Sequence, residues 1–146
     1  MTPSDLKKNQ INSAIELFSK GEINQALDAV QGLLKDYPDD PVLFNIRGAC
    51  YADLGQLDVA IKNYEEAIKI KPDYAKAHFN LGGSLHELGQ LKAAVKSYEK
   101  TLEIEPGYAE AHNNLGNVYK ELEQNELAVK SYQKALEFKP DYVEAQ

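Results

Sequence analysis

The chain of 146 residues is poor in the features that usually announce chemistry: one cysteine, three histidines and a deficit of positive charge. Cys50 stands alone, so no intrachain disulfide can form, and a reducing compartment fits with no redox role. Residues 1–20 hold no continuous apolar stretch of signal-peptide length and no segment approaches a membrane span, which makes the cytoplasm the expected location. Sixteen basic against twenty-three acidic residues give a formal charge of −7. That balance opposes attraction to nucleic acid or to an anionic membrane and mildly favours a basic partner. No HExxH, CxxC, Walker loop or nucleophile elbow is present. His78 and His86 are eight residues apart, about 12 Å along a helix, too far to share a metal without further ligands. The expectation is therefore no metal, no cofactor and no active site within these residues. With 43% hydrophobic and 27% charged residues the chain can still bury a core and lacks the composition of disorder.

What the chain has in abundance is internal repetition. Pro38, Pro72, Pro106 and Pro140 stand thirty-four residues apart, and in phase with them run Ala14, Gly48, Gly82 and Gly116, then Ala26, Ala60, Ala94 and Ala128, then Val30, Tyr64, Tyr98 and Tyr132. Self-similarity at this period marks a stack of one supersecondary unit whose copies bury their apolar faces against their neighbours. The units are 7–40, 41–74, 75–108 and 109–142, read as one domain over 1–146, with residues 143–146 as the first turn of a truncated fifth unit of a longer chain. The charge is spread along the units at −2, −1, 0 and −2 rather than gathered into a steering patch.

Each unit reads as two helices. Thr2-Pro3 with Asp5 opens the first helix with a hydroxyl cap, a proline in the first turn and a carboxylate three residues on. Gly21 ends it, and a second follows over about 23–35. Later pairs are expected at 41–54 and 57–70, 75–88 and 91–104, and 109–122 and 125–138. Gly55 and Gly89 fall in the turns inside the pairs, whereas the fourth unit has Glu123 there, so its turn must differ or be strained. The mid-helix glycines are expected to admit close approach of the partner helix through its alanine, with the tyrosines filling larger gaps between units. No segment reads as a strand. The last helix should expose an apolar face including Leu127, Val129 or Tyr132 and Leu136, allowing weak self-association through an uncapped end.

These ladders resemble the tetratricopeptide repeat, whose pattern is an aromatic, then leucine-glycine, then tyrosine, with alanine, an aromatic and proline downstream. The fourth unit carries it as His112, Leu115-Gly116, Tyr119, Ala128, Tyr132 and Pro140; the third as His78, Leu81-Gly82, Leu85, Ala94, Tyr98 and Pro106. The second begins Phe44, Arg47-Gly48, Tyr51, and the first is degenerate, with Gln10 and Ser13 at core positions, as suits a terminal unit. His78 and His112, at the packing-aromatic position, are read as structural.

The resemblance implies an all-α, right-handed superhelix of four helix-turn-helix units, eight helices in all, whose first helices line a concave groove. It implies a protein–protein interaction module holding an extended peptide there. Asn12, Asn80 and Asn114 stand one residue before the leucine or its equivalent, and Asn45 lies beside Ile46 where the row breaks. This row is similar to the asparagine ladder of the O-linked N-acetylglucosamine transferases, where amides can satisfy the backbone of an extended peptide without reading its side chains. Phe79, Gly83, His86 and Glu87 on the third unit, with Asn113, Asn117, Lys120 and Glu121 on the fourth, complete the candidate surface. Chaperone-binding relatives grip a C-terminal carboxylate with lysine and asparagine where this chain has Ile11 and Ile15, so that clamp is not expected. The alternative reading is the substrate-recruiting N-terminal arm of a larger glycosyltransferase, sulfotransferase or oxygenase.

Overall fold

The computed structural model describes residues 1–142 and consists there of eight helices with no strand. Residues 143–146, read as the start of a fifth unit, lie outside the described residues. The helices form two compact units divided after Pro72. The first holds α1 (Pro3–Ser19), α2 (Ile23–Asp36), α3 (Pro41–Asp53) and α4 (Leu57–Ile70); the second holds α5 (Ala75–Glu87), α6 (Leu91–Ile104), α7 (Ala109–Glu121) and α8 (Asn125–Phe138). From residue 41 onward no helix end differs from its expected position by more than one residue.

Local chemistry accounts for the ends. At α1 the Asp5 N–H donates to Thr2 Oγ1 at 3.1 Å while the Thr2 N–H donates to Asp5 Oδ2 at 3.2 Å, a reciprocal cap that satisfies two donors helix geometry leaves over. At α3 the Val42 N–H donates to the Asp40 side chain at 2.9 Å, and Lys7 fixes the other carboxylate oxygen from α1 at 2.7 Å. Asp40 thus ties the entrance of the second repeat to the first.

All four hairpin turns close alike. In the third repeat the Gln90 N–H donates to the Leu85 carbonyl at 2.9 Å and the Gly89 N–H to the His86 carbonyl at 2.9 Å; in the fourth, Gln124 donates to Tyr119 at 2.8 Å and Glu123 to Lys120 at 3.0 Å. This pattern requires a left-handed residue after the helix. Gly89 has φ +79°, and Glu123 is held at φ +61°. The fourth turn therefore does not differ; it imposes the shared geometry on a residue whose Cβ disfavours it by about 1 kcal/mol. Glu123→Gly is expected to raise stability by about 0.5–1 kcal/mol, read as a higher urea midpoint at unchanged slope.

The cores are small-residue cores. In the first unit Ala14, Ala26, Val30, Leu43 and Cys50 are fully buried, with Ile11, Leu17, Phe18 and Tyr37 packed around them. Burial, with Asp53 nearby, pushes the Cys50 thiol up to about 11, which leaves it an inert packing residue at neutral pH. In the second unit Ala77, Ala94, Tyr98, Thr101, Ala111 and Val118 are at most 1% exposed. On α8, Leu127 and Val129 are exposed as expected, whereas Tyr132 and Leu136 are half-buried.

The glycine ladder has a different partner from the one expected. A Cβ on Gly48, Gly82 or Gly116 would lie 2.6, 2.9 or 2.7 Å from the ring of Tyr64, Tyr98 or Tyr132, the tyrosine of the same repeat's second helix. The tyrosines thus pack across their own hairpin on bare glycine backbone, and the ring rather than the alanine makes the nearest approach to each glycine. Each of the last three repeats exchanges a methyl group on one helix for a ring from the other, and that ring supplies far more buried apolar area.

Candidate functional site

The site can be built upward from Tyr98. Its ring seats on Gly82 and lies 5.8 Å from the ring of Phe79, which stacks in turn on Tyr108 at 5.0 Å. Burial pushes the Tyr98 phenol up to about 12, partly offset by a hydrogen bond from the side-chain amide of Asn114 on α7. The hydroxyl stays protonated, and it fixes the orientation of Asn114 from a neighbouring repeat.

Above this pair opens a cleft of about 440 Å³ lined by Gly83, His86 and Glu87 of α5, Tyr98 of α6, and Asn114 and Glu121 of α7. Within this lining His86 Nε2 donates to Glu121 Oε1 at 2.9 Å. Gly83 leaves room: a Cβ there would meet only the Tyr98 hydroxyl, at 3.7 Å. The fourth repeat shows the alternative, because Asn117 stands at the position equivalent to Gly83 and accepts a 2.6 Å bond from the Tyr132 hydroxyl. A side chain there caps the tyrosine; its absence in the third repeat leaves a hole.

The expected surface residues separate into groups. Gly83, His86 and Asn114 come together in the cleft with Glu87 and Glu121. Asn80 is half-buried on α5, and Lys120 is exposed at the end of α7. Phe79 belongs to the aromatic stack, and Asn117 to its own hairpin. Asn45 and Asn113 are corrected by the structure: at 4% and 1% exposure their side chains face the packed interior and are closed to a ligand. Asn12 is exposed on α1 and, like Asn45, belongs to the first unit, outside the cleft.

Tyr98 is the site residue the sequence reading did not include. Its signal in the sequence is the tyrosine ladder running in phase with the glycines. The structural reading of the histidines holds for His112, which donates to the Pro106 carbonyl at 2.8 Å and stacks on Phe138 at 5.7 Å. His78 is buried in α5. On the exposed helix faces Lys134 pairs with Glu137 and Lys100 with Glu103. Among the described residues no group of histidine, cysteine and carboxylate side chains is placed to hold a metal ion, and no helix is long and apolar enough to cross a membrane.

Family models decide the affiliation. The model described as TPR repeat matches residues 48–89 and again 82–123, and the model described as tetratricopeptide repeat matches residues 109–142. The chain belongs to the tetratricopeptide repeat family. Half of it is 29% identical, over 73 residues, to a peroxisomal targeting signal receptor of Candida albicans, of which those residues span only 12%. In three dimensions it resembles a structure from a functional characterisation of Pseudomonas aeruginosa pilF, with a TM-score of 0.91 at 17% identity over 97% of this chain and 65% of that one. It also resembles the first TPR of Spaghetti bound to the HSP90 peptide SRMEEVD, with a TM-score of 0.75 at 28% identity over 80% of this chain and 92% of that one. The first of these proteins is named for a targeting signal and the last is a TPR bound to a peptide.

Proposed function

We propose that this tetratricopeptide chain is a noncatalytic interaction module that holds an extended polypeptide segment along the first helices of its repeats, with Asn80 and Asn114 near the centre of the contact. The observation that carries this reading is the Asn114 amide. The buried Tyr98 hydroxyl orients it, and it lines an open cleft instead of being consumed in the core. An amide bonded on one side keeps a donor and an acceptor for the backbone of a strand laid across it. The similar TPR of Spaghetti bound to a peptide, and the similarity to a targeting signal receptor, support the same use of the fold. Phe79, Gly83, His86, Asn117 and Lys120 flank or shape the face in this reading. The formal charge of −7 argues against nucleic acid or an anionic membrane as the partner, and the reading places the module in the cytoplasm.

Selection of a binder from a random displayed peptide library, followed by amide resonance mapping on the whole chain, tests the proposal. Addition of the selected peptide is expected to shift the amides of Asn80, Gly83, Asn114 and Asn117. Shifts confined to the exposed faces of α6 and α8, around Lys96 and Lys130, would refute it.

A further inference from the structure

The peptide that the cleft accepts has a charge, and the cleft residues indicate its sign. Glu87 and Glu121 are the last residues of α5 and α7, where the carbonyl ends of the two helix dipoles already make the potential negative. An acidic residue at such a place works against helix stability, and a cation would be the favoured choice. The same end of α3 carries Asp53, so the carboxylate recurs at 53, 87 and 121 with the period of the repeat.

Among the described residues that line the cleft there is no lysine or arginine, and the one basic group, His86, is bonded to Glu121. Tyr98 and Asn114 line the cleft, and a Cβ on residue 83 would meet only the Tyr98 hydroxyl. Carboxylates, an amide oxygen and a phenol oxygen around a space of about 440 Å³ form an acceptor-rich pocket of the size of a long side chain with room to spare.

We propose that this cleft is a specificity pocket for a basic side chain, lysine or arginine, of the bound polypeptide. The inference rests on the reading of α5 and α7 as the peptide face. It gives the chain a ligand preference opposite in sign to the acidic peptide SRMEEVD held by the similar TPR of Spaghetti. A guanidinium or ammonium entering the cleft would meet Glu87 directly and compete with His86 for Glu121, with its aliphatic stem lying along Tyr98.

The test uses the full chain and a random library of capped peptides, selected in parallel on three proteins. The first is the chain itself, the second carries Glu87→Gln with Glu121→Gln, and the third carries Gly83→Asn. The last copies the fourth repeat, where asparagine at this place bonds the tyrosine hydroxyl, so it is expected to fold and to fill the opening. Binders of the natural chain are expected to carry lysine or arginine at one fixed position. That enrichment should vanish on both variants, and a selected peptide should bind the double variant about fivefold more weakly, with reduced salt dependence. Binders that shift Gly83 and Asn114 but show no basic position, or retain full affinity for the double variant, overturn the pocket assignment and leave the peptide face standing. Binders that shift only α6 and α8, or a failure to select any peptide, overturn both.

Discussion

Gly82→Ala is expected to destabilise the chain by about 3 kcal/mol, although alanine is the better helix former by about 0.5–1 kcal/mol. The opposing terms differ in size because the added methyl would lie 2.9 Å from the Tyr98 ring, a separation that real side chains do not tolerate. Tyr98 is 1% exposed, with its ring packed on Gly82 and against Phe79. Either the ring leaves its rotamer or α5 and α6 move apart, and both forfeit close packing along the hairpin. The adjacent glycine supplies an internal control. At Gly83 the added methyl would meet only the Tyr98 hydroxyl, at an ordinary 3.7 Å, so Gly83→Ala should be neutral or stabilising by up to about 0.5–1 kcal/mol. Urea unfolding followed by circular dichroism separates the two. Equal midpoints for Gly82→Ala and Gly83→Ala would show that the tyrosine is free to yield and that the glycine ladder has some other cause. Combining Gly82→Ala with Tyr98→Leu should cost less than the sum of the two single changes, because the shorter side chain relieves the clash that the methyl creates.

The fold was legible because punctuation and periodicity agreed at every level. Proline closed each unit, a turn residue closed each hairpin, and the apolar ladders recurred thirty-four residues apart; the helix ends followed within a residue. Pairings within the hairpin were less legible. A glycine at 48, 82 or 116 states that something approaches closely, but alanine and tyrosine on the partner helix both satisfied that description. Only the geometry of the crossing assigns it to the ring. The candidate site was half legible for the same reason. Asn113 and Asn114 are adjacent and chemically identical, yet the helical turn between them buries one and leaves the other in the cleft. A linear row of asparagines cannot distinguish a side chain facing a neighbouring helix from one facing solvent when the first helices are packed on more than one side. Glu123 shows the converse. The sequence flagged a departure, and the backbone absorbed it by keeping the shared turn at φ +61°.

The second large effect concerns binding. Asn80→Ala together with Asn114→Ala is expected to weaken a selected peptide by tenfold or more. Removing one partner of a hydrogen bond that becomes buried on binding leaves the other unsatisfied at about 1–3 kcal/mol, and a decade in affinity is about 1.4 kcal/mol. The two residues stand one repeat apart, so a strand spanning both loses its contacts at two equivalent steps. Asn114 also serves the protein itself through Tyr98, which should cost about 1 kcal/mol of stability and leave the chain folded. The decisive measurement is therefore a titration of the same peptide against three folded proteins: the natural chain, the asparagine double variant, and Lys96→Ala with Lys130→Ala on the exposed faces of α6 and α8. A tenfold or greater loss for the asparagine pair with no change for the lysine pair is the predicted result. Equal affinity of the asparagine variant and the natural chain, or a larger loss for the lysine pair, would contradict the placement of the binding face on the first helices.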